Sequence, residues 1–346
     1  VVAITGSVGK TSTKELIYNV LEKKYKVLKT NGNENSQIGL PLTITRLDDE
    51  DVMVLEMGMN DFNQMHNLSL IAKPDIAVIT NIYDSHIGIL GSRENILKAK
   101  LEILDGMNNG IVIVNNDNDL LNNWVKTYNK ENVITYGINN ESDYMATNIN
   151  EREIISFNVK NIKDINANST AIIYNKLAAI IAGKILNVSD SDIKKGINED
   201  IKIKHRLEEI KLDNEITIID DCYNASFESV ENALSYINKK DGRKILILGD
   251  ILELGKISKQ THRKIGMLIS NCSCLITIGK WSKYISKEAR KNGLKRKYVK
   301  HFKTVSKAKK YILSIIKPND NVLIKASNAI NLSELVNYLK ESKIDN

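Results

Sequence analysis

The sequence predicts an α/β protein in which a domain with a mainly parallel sheet is followed by a Rossmann-like domain. Three observations predict it. Short apolar runs alternate with amphipathic helical patterns, the rhythm of parallel strands joined by crossover helices. A glycine-rich turn joins the first run to the first helix. The alternation then starts afresh beyond residue 205, and 346 residues suit about two domains.

Val1 to Ile4 is the first strand, an apolar run that stops at a turn. Thr11 to Lys24 follows as a helix, because Leu16, Ile17, Val20 and Leu21 share one face. Val52 to Leu55, Ile76 to Thr80 and Ile111 to Val114 are further strands of the same sheet. The stretch from Asn140 to Ser169 is polar and weakly periodic, and it reads as the irregular edge of this domain. Prolines occur only at 41, 74 and 318, and no Gly/Ser linker marks a boundary. The rhythm places it near Ile203 to His205, which gives domains 1–204 and 205–346. In the second domain Ile216 to Ile219, Lys244 to Leu248, Leu275 to Ile278 and Val322 to Ile324 are strands with helices between them. The chain opens at Val1 inside a strand, so an upstream segment is expected.

Composition removes several classes of function. Apolar runs are short and broken by charge, so no stretch of about 20 apolar residues is available to cross a bilayer. The net charge of +7 comes from 49 Lys and Arg against 42 Asp and Glu, and reads as a lysine-rich solvated surface rather than a nucleic-acid face. Arg290 to Lys297 is basic but has no interleaved aromatics, so it reads as a helix end and turn. Cys222, Cys272 and Cys274 form neither a disulfide framework nor a zinc pattern, which suits a reducing cytoplasm.

The chemistry is concentrated at strand ends. Thr5-Gly6-Ser7-Val8-Gly9-Lys10-Thr11 follows an apolar run and opens a helix, which aims backbone N–H groups and a helix N-terminus at phosphates. It is a variant phosphate loop, since Ile4 stands where the usual pattern has its first glycine. Gly6, Ser7, Val8, Gly9, Lys10, Thr11 and Ser12 are the nucleotide-binding candidates, with Lys10 on the β- and γ-phosphates and the Thr11 hydroxyl on Mg²⁺. Glu56 ends a strand at the carboxyl edge of the sheet, where open α/β folds bind ligands, and is a natural metal ligand. His86 follows another strand at the same edge. Lys98 and Lys100, with Glu94 and Glu102, read from the residues alone as a charged helix face. Cys222 reads as a buried strand-end cysteine, and His262 and Arg263 as structural.

Further motifs carry a resemblance. Glu56-Met57-Gly58, Ile79-Thr80-Asn81 with His86, Ala99-Lys100-Leu101-Glu102, His205-Arg206-Leu207-Glu208, Asp220-Asp221-Cys222-Tyr223-Asn224-Ala225 and Leu248-Gly249-Asp250-Ile251-Leu252-Glu253-Leu254-Gly255 follow the phosphate loop in order. Together they resemble the Mur ligases over nearly the whole chain. The resemblance implies a central P-loop ATP-binding domain and a C-terminal Rossmann-like domain, after an N-terminal UDP-binding domain that this chain is expected to lack. It implies that Thr11 and Glu56 hold one Mg²⁺ while His86 and a carbamylated Lys100 hold a second. It makes Lys10, His86, Lys100 and Arg206 catalytic positions, Asn175 the adenine contact, and Arg206 and Asp220 the groups that close onto ATP. Asn35 and Ser36, with Gln37, fall near the γ-phosphate, and Tyr223, Asn224 and Lys325 near the substrates. Ala171 and Ile172 replace a His-Asn pair of the family, Phe227 a proline and Ala326 a glycine.

These positions together imply ATP-dependent activation of a carboxylate as an acyl phosphate, followed by attack of an amine, with ADP and phosphate as products. The most similar members add D-alanyl-D-alanine to a UDP-linked muramyl tripeptide during peptidoglycan precursor synthesis. An amide ligase for another acid and amine, and a nucleotide-binding module with degraded catalysis, are the alternatives. The partners implied are small molecules, the UDP-linked peptide and the dipeptide amine, with no nucleic acid and no membrane insertion. The expected form is a cytoplasmic monomer.

Overall fold

The computed structural model describes residues 1–128, 131–151, 154–199, 201 and 203–342. The chain divides into two compact units, Val1–Ile201 and Lys202–Asn346.

In the first unit the elements run β1 (Val2–Thr5), α1 (Lys10–Leu21), β2 (Val27–Lys29), α2 (Gly39–Ile44), β3 (Val52–Glu56), α3 (Gln64–Ala72), β4 (Ile76–Ile79), α4 (Ile87–Leu90) and α5 (Arg93–Leu101). They continue through β5 (Ile111–Asn115), α6 (Asp119–Tyr128), β6 (Val133–Gly137), β7 (Tyr144–Met145), β8 (Thr147–Glu151), β9 (Ile155–Val159), β10 (Ile162–Ala167), α7 (Thr170–Ile185) and α8 (Asp190–Asn198). Seven strands form one parallel sheet in the order β2-β3-β1-β4-β5-β6-β7. Both faces are covered. On β1, Val2 and Ile4 point into a core shared with Leu16, Ile17, Val20 and Leu21 of α1 and the apolar side of α7, whereas Ala3 points to the other side with Leu68 and Ile96. That alternation is the period of two expected of a strand buried on both faces. Truncating Leu16 or Ile17 to alanine would cost about 2–5 kcal/mol.

The segment from Asn140 to Ser169 is more ordered than its sequence suggests. It contributes the edge strand β7 and then a three-stranded antiparallel sheet, β10-β9-β8. Ile155, Phe157 and Val159 of β9 alternate into the core while Ser156 and Asn158 face outward. The solvent face supplies so many polar residues that the inward stripe is diluted in composition, although its spacing is that of a half-buried strand. Residues 152 and 153 of this stretch lie outside the described residues.

In the second unit, β11 (Glu208–Lys211), β12 (Thr217–Asp221), α9 (Phe227–Asn238), β13 (Lys244–Gly249), α10 (Ser258–Leu268), β14 (Cys274–Ile278), α11 (Lys283–Lys291), β15 (Val299–Phe302), α12 (Val305–Ile315), β16 (Asn321–Lys325) and α13 (Ser333–Glu341) follow. The sheet order is β11-β12-β16-β13-β14-β15, parallel except for β11 at its edge. Cys222 is buried just past β12, and burial, with Asp220 beside it, pushes its thiol far above the ordinary range, so it is no nucleophile. Among the described residues no helix is long and apolar enough to cross a membrane.

Candidate active site

β1 ends between β3 and β4, so the turn after it emerges where the carboxyl edges of three parallel strands meet; Ile4 pairs in register with both Glu56 and Val78. Such an edge is the ligand crevice of open α/β sheets. The turn is built tightly. Gly9 takes a left-handed φ of 85° as it starts α1, a conformation glycine adopts at little cost. A Cβ at Gly6 would lie 1.9 Å from the Thr80 hydroxyl. That hydroxyl donates to the Val8 carbonyl at 2.7 Å, and the Asn81 side chain both accepts from the Val8 N–H (2.8 Å) and donates to the Val8 carbonyl (3.0 Å). The Ser7 N–H donates to the Asn81 carbonyl, and the Lys10 ammonium reaches back to the Gly6 carbonyl at 2.8 Å. Thr80 and Asn81 thus fix the shape of the loop, which is why that pair follows the fourth strand of the sequence.

Glu56 is the last residue of β3 and only 1% exposed. Its Oε1 accepts from the Asn35 amide at 2.8 Å, and the Asn35 carbonyl in turn accepts from the Gly58 N–H. Its Oε2 is buried and has no hydrogen-bond donor among the described residues. A buried carboxylate oxygen without a donor is costly unless a cation completes it, so the donor set here, a carboxylate with a buried threonine hydroxyl at Thr11, suits a hard divalent ion. Ser36 lies one residue beyond Asn35, on the same loop, and its hydroxyl accepts from the Gly39 N–H.

His86, half-buried, starts α4 with a left-handed φ of 66°. Lys100, on α5, is 1% exposed rather than part of a solvated face. Burial, with the like charge of Lys10 adding to it, pushes the Lys100 ammonium well below the usual lysine range. No carboxylate pairs with it among the described residues. Asn175, on α7, is buried against the phosphate loop: its Oδ1 accepts from the Thr13 hydroxyl at 3.2 Å and would be 2.9 Å from a Cβ at Gly9. It supports the turn from below.

The second unit gathers its own set at the ends of β12 and β16. Asp221 and Lys325 are register partners there and form a buried ion pair of 2.7 Å, and Lys325 also donates to the Asn224 carbonyl. Lys325 therefore shapes the Tyr223–Asn224 turn from within. Asp220, also buried, takes the His205 Nδ1 at 2.7 Å, and the Arg206 guanidinium stacks on the Tyr223 ring at 4.1 Å. His205 and Leu207 on either side of Arg206 both have positive φ, 62° and 47°. The turn is pinned by the Tyr223 N–H to the His205 carbonyl and by the Leu207 N–H to Asp221.

Lys14 and Thr30 escape sequence reasoning altogether. Lys14 is buried beside the phosphate loop, and Thr30 touches Glu56. The signal available for Lys14 was its place at three and seven residues before Ile17 and Leu21, on the apolar stripe of α1.

Residues 4–183 match the Mur ligase middle domain, and residues 205–328 match the Mur ligase glutamate ligase domain. The chain is similar to the UDP-N-acetylmuramoyl-tripeptide--D-alanyl-D-alanine ligase of Bacillus subtilis, with 38% identity over 362 residues that span 99% of this chain and 76% of that protein. Among solved structures it is similar to MurF from Acinetobacter baumannii, at a TM-score of 0.88 and 28% identity over 99% of this chain and 76% of that one. It is also similar to MurF from Thermotoga maritima in complex with ADP, at a TM-score of 0.84 and 26% identity over 98% of this chain and 79% of that one.

Proposed function

The chain belongs to the Mur ligase family, and on that premise we propose that it joins D-alanyl-D-alanine to a UDP-linked muramyl tripeptide, driven by ATP through an acyl phosphate. The observation that carries this reading is the buried Glu56 Oε2, which lacks a donor at the strand edge beside a glycine turn bearing Lys10 and Thr11.

In this reading the backbone N–H groups of the turn and the α1 N-terminus bind the phosphates, and Lys10 leaves the Gly6 carbonyl to hold the β- and γ-phosphates. Thr11 and Glu56 would hold one Mg²⁺, and His86 with a carbamylated Lys100 the second. When bound, magnesium neutralises charge on the triphosphate. The substrate carboxylate oxygen attacks the γ-phosphorus in line, the bond to the β-phosphate oxygen breaks, and ADP leaves with that electron pair. The dipeptide amine then attacks the acyl carbon, phosphate departs, and the amine loses a proton as the amide forms. No side-chain nucleophile is required, in keeping with the inert Cys222. Arg206, held on Tyr223, and Asp220, which holds His205, are the second unit's candidates for contact with the nucleotide. We place this chemistry in the cytoplasm, carried out by a monomer.

The carbamate accounts for an otherwise awkward group, since a buried lysine with only a like charge acting on it favours the neutral amine. The neutral nitrogen attacks CO₂, a proton is released, and the product is an anion with two hard oxygens.

Full-length protein is expected to release phosphate from ATP only when the UDP-linked tripeptide and D-alanyl-D-alanine are both present. Equal release with L-glutamate in place of the dipeptide would shift the assignment to an amide ligase of other specificity.

A further inference from the structure

We propose that Lys14 and Thr30 form a buried relay that positions Glu56 for its cation, so that α1 controls both the phosphate loop and the metal carboxylate. The proposal rests on the ligase reading of Glu56 and adds two positioning residues to it.

The β2–β3 ladder ends in an unusual way. The Thr30 N–H still donates to the Val54 carbonyl at 3.2 Å, as the last rung just beyond β2. Past it the backbone partner is replaced by a side chain: the Glu56 N–H donates to the Thr30 hydroxyl at 3.0 Å. The Thr30 carbonyl is turned toward α1, where the Lys14 ammonium donates to it at 2.7 Å. Lys14 is 1% exposed and also pairs with Glu15 at 2.8 Å. Burial raises the Glu15 carboxyl, but Lys14 and Lys29 together outweigh it and hold the group below the ordinary range. Taking an ammonium out of water costs several kcal/mol, and an apolar residue of similar size would fill the site without that cost. The cation makes sense if the position of the Thr30 backbone matters.

It matters because Glu56 is clamped at two points. Thr30 fixes its backbone, and Asn35 fixes its Oε1. The remaining oxygen, Oε2, is thereby aimed without freedom to rotate. Groups that orient a metal ligand in this way affect metal affinity by about 10- to 100-fold. Lys14 lies one helical turn after Lys10 and three residues after Thr11, so one rigid helix sets the phosphate lysine, the metal hydroxyl and, through Thr30, the metal carboxylate.

The test is Mn²⁺ affinity of the protein with ADP, read from the loss of the free Mn²⁺ paramagnetic resonance signal and corrected against ADP alone, with melting temperature measured in parallel. Thr30→Val, which keeps shape but loses the acceptor, and Lys14→Met are each expected to weaken Mn²⁺ binding about tenfold, while Thr30→Ser stays within about threefold of wild type. A change below about threefold in Thr30→Val or in Lys14→Met overturns the role of that residue, even where melting falls, because a purely structural role lowers stability and leaves affinity alone. If Thr30→Val does not fold, Lys14→Met decides the relay by the same threshold. Wild-type protein that takes up no Mn²⁺ with ADP overturns the ligase reading itself, an outcome distinct from variants that match a competent wild type.

Discussion

Lys100 shows how far one side chain can change its chemistry with its surroundings. In solution its ammonium would be a strongly hydrated point charge; buried on α5 near Lys10 it is driven toward the neutral amine. In the proposed two-metal site a free ammonium there would repel the cations assigned to Glu56 and His86. Activity is therefore expected to fall after exhaustive removal of CO₂ and bicarbonate at alkaline pH, and to recover when bicarbonate is restored. Lys100→Arg keeps a positive charge and cannot form the carbamate, so its turnover should drop by about 10² or more. Near-normal turnover in that variant, or an unmodified lysine in a mass analysis of active protein, would return Lys100 to a structural role.

The elements around β13 illustrate a loop stabilised by a histidine rather than by regular structure. The turn from Asp250 to Gly255 is tied down by the Asp250 carboxylate, which accepts from the N–H groups of Lys280, Trp281 and Ser282, and by the Ser327 hydroxyl, which accepts from Leu252. His262 of α10 completes it: Nε2 accepts from the Ile251 N–H at 3.0 Å, so Nδ1 carries the proton and donates to the Ser258 carbonyl. That role requires the neutral ring, and burial holds the imidazole below its ordinary range against the opposing pull of the Ser258 carbonyl and Asp250. The folded state then binds fewer protons than the unfolded one as pH falls below about 6.5, so this stabilisation is present at pH 8 and lost on acidification, by at most about 1.4 kcal/mol per unit. His262→Ala should cost about 1–3 kcal/mol at pH 8 by leaving the Ile251 N–H unpaired, and the gap to wild type should narrow at pH 5 in urea titrations. A gap of constant size across that range would mean that His262 acts by packing alone. The histidine was legible as structural from its place in a helix, whereas its partner, eleven residues away across a turn, was not. The antiparallel strands between Thr147 and Ala167 were missed for a related reason. Their pairing is what makes Ile155, Phe157 and Val159 a stripe, and pairing is not visible in composition.

Across the whole chain, legibility follows the distance over which each interaction acts. The glycine turn between strand and helix could be read because its glycines, lysine and threonine stand within seven consecutive residues, and the place of Glu56 at a strand end because that needs only the local pattern. The Lys14–Thr30–Glu56 relay spans 16 and then 26 residues and depends on how β2 lies against β3 and α1, so no local spacing announces it. The same distinction governs stability. In the proposed site nucleotide and cation bind only where these distant groups have been assembled, so they bind the folded state and not the unfolded chain. ADP with Mg²⁺ at about 100 times its dissociation constant should therefore stabilise the protein by about 2.7 kcal/mol, which for a unit of this size raises the melting temperature by roughly 5–10 °C. ADP with a chelator should give a much smaller shift, and Glu56→Gln, which keeps the acceptor for Asn35 but loses the charge, should lose most of the magnesium-dependent part. Calorimetric scans that show the same rise with and without Mg²⁺, or an undiminished rise in Glu56→Gln, would mean that the nucleotide is held by the phosphate loop alone and that the donorless oxygen of Glu56 serves no cation.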